Sequence, residues 1–323
     1  MSGLVAALVV LASSAGASAG PEPGQHEQAA AITADGSFQH GTVAVDGGSL
    51  HYVRAGSGPP LVLLHGWPQT WWAWHDVIPE LAQEHTVLAF DLPGLGSSFI
   101  PADGYEKAAT ARRIRQAVQR LGFQQVEIIG HDIGALVAYP YARDYPSEVT
   151  RLAVIETPLS GFGMENIYGL SWHFRFNLSP APLPERILDT DEVPLYHGMI
   201  FDFSANREAI DRSKYFSAYS SPARRTAGYN YYRAFPADAA DNQANAVAKR
   251  LPMPVLAMGA QFSFGPGVAA SFQQVASDVR QVVAPDAGHF VPEENPRFVI
   301  DCVKLFFGAT SGPPPPALAA CAA

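Results

Sequence analysis

The run Val126-Glu127-Ile128-Ile129, followed by Gly130-His131-Asp132-Ile133-Gly134 and then by the helical stretch Ala135 to Arg143, decides how this chain is read. A short β-branched strand passes through a glycine-flanked turn straight into a helix. That is the form of a nucleophile elbow, in which small flanking residues tolerate the crowding, the central side chain stands above the sheet edge, and the helix N-terminus points at it. The central residue is Asp132, where ester-cleaving enzymes carry Ser. The formal match Gly16-Ala17-Ser18-Ala19-Gly20 has no strand before it and is discarded. A lone Asp after a strand more often caps the next helix, so the rest of the chain has to decide.

Working outward, Thr42 to Val45 and Leu50 to Arg54 read as a hairpin closed by Asp46-Gly47-Gly48. Buried-type strands follow at Leu61 to Leu64, Val87 to Phe90, Val126 to Ile129 and Leu152 to Ile155, most succeeded by a helical segment. This alternation predicts an α/β fold with a mostly parallel central sheet and helices on both faces. After Thr157 the rhythm changes to aromatic-rich helical sequence, and strand character returns at Val255 to Met258 and Gln281 to Val283. The reading is a core of residues 36–157 and 249–308, interrupted by a helical cap of residues 158–248. The end, residues 309–323, is Pro- and Ala-rich and predicted to be disordered. At the start, the apolar run Leu4 to Ala12 and the small-residue pattern Ala17-Ser18-Ala19 predict a cleaved signal peptide over residues 1–19 and an exported protein, periplasmic or secreted, although no Lys or Arg precedes the apolar run.

Composition narrows the classes of function. The 323 residues carry a net charge of −9, which offers no basic footprint for nucleic acid or an anionic membrane. No apolar run approaches the roughly 20 residues of a spanning helix. The two cysteines, Cys302 and Cys321, imply no disulfide framework, although they could pair. Without zinc spacing, an HExxH pair or a phosphate loop, neither a metal nor a cofactor is indicated. The partner is expected to be a small molecule.

Three further motifs support a catalytic Asp132. His65-Gly66-Trp67-Pro68 follows the strand Leu61 to Leu64, where the backbone N–H of Trp67 could pair with that of Ile133 as an oxyanion hole. Asp286-Ala287-Gly288-His289-Phe290 follows the last strand and leads into Pro292-Glu293-Glu294-Asn295-Pro296, a helix start with acidic residues at its positive end; His289 is the candidate base. The acid orienting His289 is sought after Val255 to Met258, yet Asn242 to Ser277 holds no Asp or Glu; Glu156, at the end of Leu152 to Ile155, is the alternative. An aspartate nucleophile attacks sp³ carbon bearing a leaving group, as in epoxides and alkyl halides, and forms an ester; water activated by His289 would then hydrolyse it.

On these residues the chain resembles the Cif-like secreted epoxide hydrolases of the α/β-hydrolase superfamily, with the haloacetate dehalogenases as near relatives. The resemblance runs from about Ser49 to Phe307 and rests on His65-Gly66-Trp67-Pro68-Gln69-Thr70-Trp71, Asp91-Leu92-Pro93-Gly94-Leu95-Gly96, His131-Asp132-Ile133-Gly134, Glu156-Thr157-Pro158, Trp172-His173-Phe174, Tyr231-Tyr232-Arg233-Ala234 and Gly288-His289-Phe290-Val291-Pro292-Glu293-Glu294. It implies an epoxide hydrolase with an Asp132, Glu156 and His289 triad, with His173 and Tyr232 of the cap hydrogen-bonded to the epoxide oxygen, and a homodimer. The chain departs from relatives at informative places. Ile133 stands where haloalkane dehalogenases and many epoxide hydrolases have Trp, Ile133 and Leu136 where haloacetate dehalogenases have arginines, and Ala287 where the Cif family has a cysteine. A carboxylated substrate is therefore disfavoured. The alternatives are a dehalogenase of neutral haloalkanes and, from another class, a non-catalytic ligand receptor, for which a retained triad would be superfluous.

Overall fold

The computed structural model describes residues 38–308 and 313–322. The predicted signal peptide lies outside them. Eight strands form one sheet: β1 (Gln39–Val45), β2 (Gly48–Ala55), β3 (Pro60–Leu64), β4 (Thr86–Phe90), β5 (Val126–His131), β6 (Val149–Ile155), β7 (Val255–Ala260) and β8 (Val279–Ala284). Their order is β1-β2-β4-β3-β5-β6-β7-β8; β2 runs antiparallel to both neighbours and the rest are parallel.

The strand pleat divides the interior in two. Val62, Leu64 and Ile128 join one core with the helices Lys107–Arg120 and Ile133–Asp144, whereas Leu61, Leu63 and Ile129 join the other with Ile78–Leu81 and Pro296–Phe306. Central strands buried on both faces are why their sequences read as unbroken apolar runs. Between β6 and β7 the chain forms short helices, among them Trp172–Leu178, Val193–Phe201, Arg212–Ala218, Pro222–Arg233 and Phe235–Asn245. These lie over the carboxyl ends of the parallel strands, the edge at which open α/β sheets bind ligands. Lys107 fastens the two layers: its Nζ pairs with Asp238 Oδ2 at 2.7 Å and donates to the Tyr231 carbonyl, with both charges buried.

The tail departs from the sequence reading, and the two cysteines, whose pairing the sequence left open, are joined. Cys302, in the last core helix, is bonded to Cys321, and Pro316–Cys321 form a 3-10 helix beside it. The described part of the segment expected to be disordered is thus ordered, with Arg280 of β8 donating to the Ala322 carbonyl. The pairing was invisible as spacing because it depends on the tail folding back onto the sheet edge. Among the described residues no helix is long and apolar enough to cross a membrane.

Candidate active site

The ends of five strands, β3, β5, β6, β7 and β8, converge on one cavity. Asp132 leaves β5 with φ 50° and Glu156 leaves β6 with φ 58°, left-handed conformations that cost a non-glycine residue roughly 1–3 kcal/mol and concentrate at functional sites. The glycines around Asp132 are required by close approach. A Cβ on Gly134 would lie 2.1 Å from the Leu64 carbonyl oxygen, and one on Gly130 would lie 2.5 Å from the backbone of Ala135. The elbow can therefore seat its helix against β3 only with glycine at both places.

His289 Nδ1 lies 3.2 Å from Glu156 Oε2, and its Nε2 lies 3.6 Å from Asp132 Oδ2. Glu156 is fully buried, and its other oxygen accepts from the backbone N–H groups of Ala260 (2.5 Å) and Phe264 (3.3 Å), beyond the end of β7. The empty acid position after β7 is thus filled by backbone donors that hold a carboxylate arriving from β6. Trp67 N–H donates to Asp132 Oδ1 at 3.0 Å. Ile133 is the first residue of its helix, so its N–H has no intrahelical acceptor. Asp132 thereby has one oxygen on the Trp67 N–H and the other facing His289.

The charges are strongly coupled. Burial alone would push His289 down, but hydrogen bonds and charge from Asp132 and Glu156 raise it to about 10. Burial would likewise raise Asp132, yet the hydrogen bond and charge of His289 and the Trp67 N–H hold it below the usual carboxylate range. The resting pair is carboxylate and imidazolium.

Above the pair is a cavity of about 210 Å³ lined by Trp67, Asp132, His289, the cap residues His173, Phe174 and Tyr232, and the loop residues Phe262, Ser263 and Phe264, among others; no Lys or Arg lines it. His173 stacks along the Trp67 ring and meets Tyr232 edge-on at 5.9 Å between centroids. Its Nδ1 is 2.7 Å from Ser171 Oγ, and burial lowers its pKa to about 3, so it is a neutral imidazole. In the tautomer in which Ser171 donates to Nδ1, the proton sits on Nε2 and His173 is a donor. Burial, then the Asp132 charge, pushes the Tyr232 hydroxyl far above its ordinary value, so it too is a neutral donor. Neighbouring Tyr231 is different: its hydroxyl donates to the Pro93 carbonyl at 2.9 Å, beneath the cap. Two neutral donors opposite a carboxylate suit a developing alkoxide.

Comparison with known proteins places this arrangement. The family model described as alpha/beta hydrolase fold matches residues 59–296. The soluble epoxide hydrolase of Corynebacterium sp. (strain C12) is 36% identical over 278 residues, covering 83% of this chain and 96% of that one. The chain belongs to the α/β-hydrolase family. The fluoroacetate dehalogenase of Burkholderia sp is 34% identical over 177 residues, 52% of this hydrolase and 58% of that protein. A solved structure of the epoxide hydrolase CorEH without ligand superposes with a TM-score of 0.79 at 33% identity, covering 84% of this chain and 99% of that one.

The hydrolase also contains groups that sequence reading missed or misplaced. Glu293, read as an acid at a helix start, is buried and lies 2.5 Å from the Gln69 amide and 2.9 Å from the Tyr215 hydroxyl. Both acids stand in the first turn of the helix Val291–Glu294, as the sequence reading expected, and Glu294 accepts from the backbone N–H groups of Phe290, Gly288, Ala205 and Asn206. His131, beside the nucleophile, bonds to the His289 main chain instead of facing the cavity. Phe262, Ser263 and Phe264 lie in a loop without any motif, and no signal in the sequence marks them.

Proposed function

We propose that this α/β-hydrolase opens small, neutral epoxides to vicinal diols through an ester on Asp132. The epoxide hydrolase relatives support the reaction, and the observation that carries the assignment is the opposition of Asp132 to Tyr232 and His173 across a cavity without a cation. Asp132 Oδ2 attacks a ring carbon, the carbon–oxygen bond breaks, and the leaving oxygen takes a proton from Tyr232 or His173. Forming the ester removes the Asp132 charge that holds the proton on His289. That proton then moves to replace the one lost by the cap donors, and neutral His289 becomes a base. Water loses a proton to His289 and attacks Asp132 Cγ; negative charge develops on Oδ1, beside the Trp67 and Ile133 N–H groups, and collapse releases the former Oδ2 with the product, which takes the proton of the new Asp132 carboxyl group, so that the diol leaves and the carboxylate and imidazolium are restored.

The absence of Lys and Arg around the cavity argues against a carboxylated substrate such as the one named for the Burkholderia relative. The Cif-like subtype and a homodimer enter the proposal by resemblance, and size-exclusion chromatography tests the dimer. Export rests on the leader pattern of residues 1–19, and the Cys302–Cys321 bond suits an oxidising compartment. The test of function is diol formation from a terminal epoxide alongside bromide release from the matched bromoalkane, with Asp132→Ser as control. Diol from the wild type and none from the variant supports the proposal; bromide release without diol would replace it with a dehalogenase.

A further inference from the structure

The main chain of the base is held from behind by a chain of buried polar groups. The His289 carbonyl accepts from His131 Nε2 at 2.8 Å, so that nitrogen carries a proton. The structure has Gln69 Oε1 3.1 Å from His131 Nδ1 and Gln69 Nε2 2.5 Å from Glu293 Oε2; Glu293 Oε1 accepts from Tyr215 in the cap at 2.9 Å. Gln69, His131, Tyr215 and Glu293 are all buried. An amide offers an oxygen on one side and an NH2 on the other, and a half-turn exchanges them.

Counting donors leaves two arrangements. If the Gln69 oxygen faces His131, Nδ1 must also be protonated, which makes His131 a buried cation beside His289 while Glu293 is a carboxylate. If the NH2 faces His131, the imidazole is neutral, and the Gln69 oxygen needs a donor that only protonated Glu293 can provide. One proton therefore resides either on His131 or on Glu293, and the Gln69 amide turns with it.

We propose that Glu293 keeps this proton at neutral pH as a carboxylic acid, and that Glu293 and Gln69 act as positioning residues that fix neutral His131 and, through it, the His289 main chain. The rings of His131 and His289 are 5.1 Å apart, so a cation on His131 would oppose the imidazolium on His289. Around Glu293, the groups in contact, Gln69 and Tyr215, are neutral, and the charges that reach it, from Asp76 and Glu294, are negative. A carboxylate buried among such neighbours has only the Tyr215 and Gln69 hydrogen bonds, and no positive charge, to offset its lost hydration. Burial accordingly raises Glu293 to about 8 and lowers His131 to about 3. Glu294 next to it is bonded instead to four backbone N–H groups. Above the Glu293 pKa the Gln69 amide must turn and bring its oxygen to Nδ1; a neutral His131 then satisfies that oxygen only by moving its proton from Nε2 to Nδ1, and Nε2 no longer donates to the His289 carbonyl.

The positioning role rests on His289 acting as the base proposed above, whereas the protonation state does not, so the two are read separately. Infrared spectroscopy of the whole protein carrying 13C-labelled glutamate should show, at neutral pH, a carboxylic-acid carbonyl band that titrates away near the value given above and is missing in Glu293→Gln. Absence of that band in the wild type, or its persistence in the variant, would overturn the protonated state. The wild-type titration gives this answer even if the variant fails to fold. In kinetics, Glu293→Gln supplies a permanent NH2 donor; its kcat should stay within a few-fold of wild type at neutral pH while its decline at alkaline pH moves upward. Glu293→Ala should lose about 10- to 100-fold in kcat, a loss of the size that misplacing a catalytic group causes. Identical alkaline limbs for wild type and Glu293→Gln would overturn the positioning role.

Discussion

Glu156 Oε2 lies 3.2 Å from His289 Nδ1 although the two residues are 133 positions apart and strand β7 separates β6, which ends at Glu156, from β8, which precedes His289. The carboxylate spans that gap because the backbone beyond β7 supplies Ala260 and Phe264 N–H donors to its other oxygen. Glu156→Gln keeps the shape but offers a neutral amide. Ester hydrolysis should slow by a factor on the order of 10³, since an orienting acid fixes the imidazole tautomer and supports the imidazolium. Ester formation, which needs no base, should change far less. Single-turnover kinetics separate the two steps, and an unaltered second step would assign the orienting role to another group.

In the proposed reaction Tyr232 and His173 act on the first step. Tyr232→Phe retains the ring against Trp67 and removes one donor to the alkoxide, so ester formation should slow by about 10²-fold, the usual cost of losing one such donor. Hydrolysis of an ester already formed should continue. Tyr231→Phe instead removes the bond to Pro93, and its effect should appear in stability.

The acid limb reports the Asp132–His289 pair. Because Asp132 is held below the ordinary carboxylate range, ester formation should stay level from neutral pH into the acid range and fall only as pH drops through that lowered value. His289→Gln removes the main opposing hydrogen bond and charge, so burial then dominates and the limb should move to higher pH. Rapid-quench measurement of ester formation against pH checks this; coincident limbs would contradict the coupling.

The Cys302–Cys321 bond joins residues 19 positions apart. A loop of this size contributes about 3 kcal/mol through the unfolded chain, so reduction should lower the unfolding free energy by that order. Activity at moderate temperature should persist, because no residue of this tie lines the cavity. Denaturant titration with and without reductant gives the difference.

The parts of the site that were legible in sequence are those whose neighbours in the chain carry the information. Asp132 stands between glycines that only an elbow demands, and His289 follows a strand and precedes a helix. Glu156 was found by elimination, since nothing in the residues around it points to a histidine two strands away. The bond from Gln69 to Glu293 joins residues 224 positions apart, and each alone looks ordinary. The tail misled for a similar reason: its composition suits disorder, and only the fold shows that Cys321 reaches Cys302.

The central claim is that Asp132 forms an ester which His289 is needed to hydrolyse, and intact-protein mass spectrometry of His289→Gln tests it most directly. After incubation with a small terminal epoxide the protein should gain the full mass of the epoxide, because ring opening keeps the oxygen, and peptide mapping should place the adduct on Asp132. The matched bromoalkane, which would lose bromide on attack, should react more slowly. An adduct from the bromoalkane alone, or an unmodified protein after both compounds, would contradict the account.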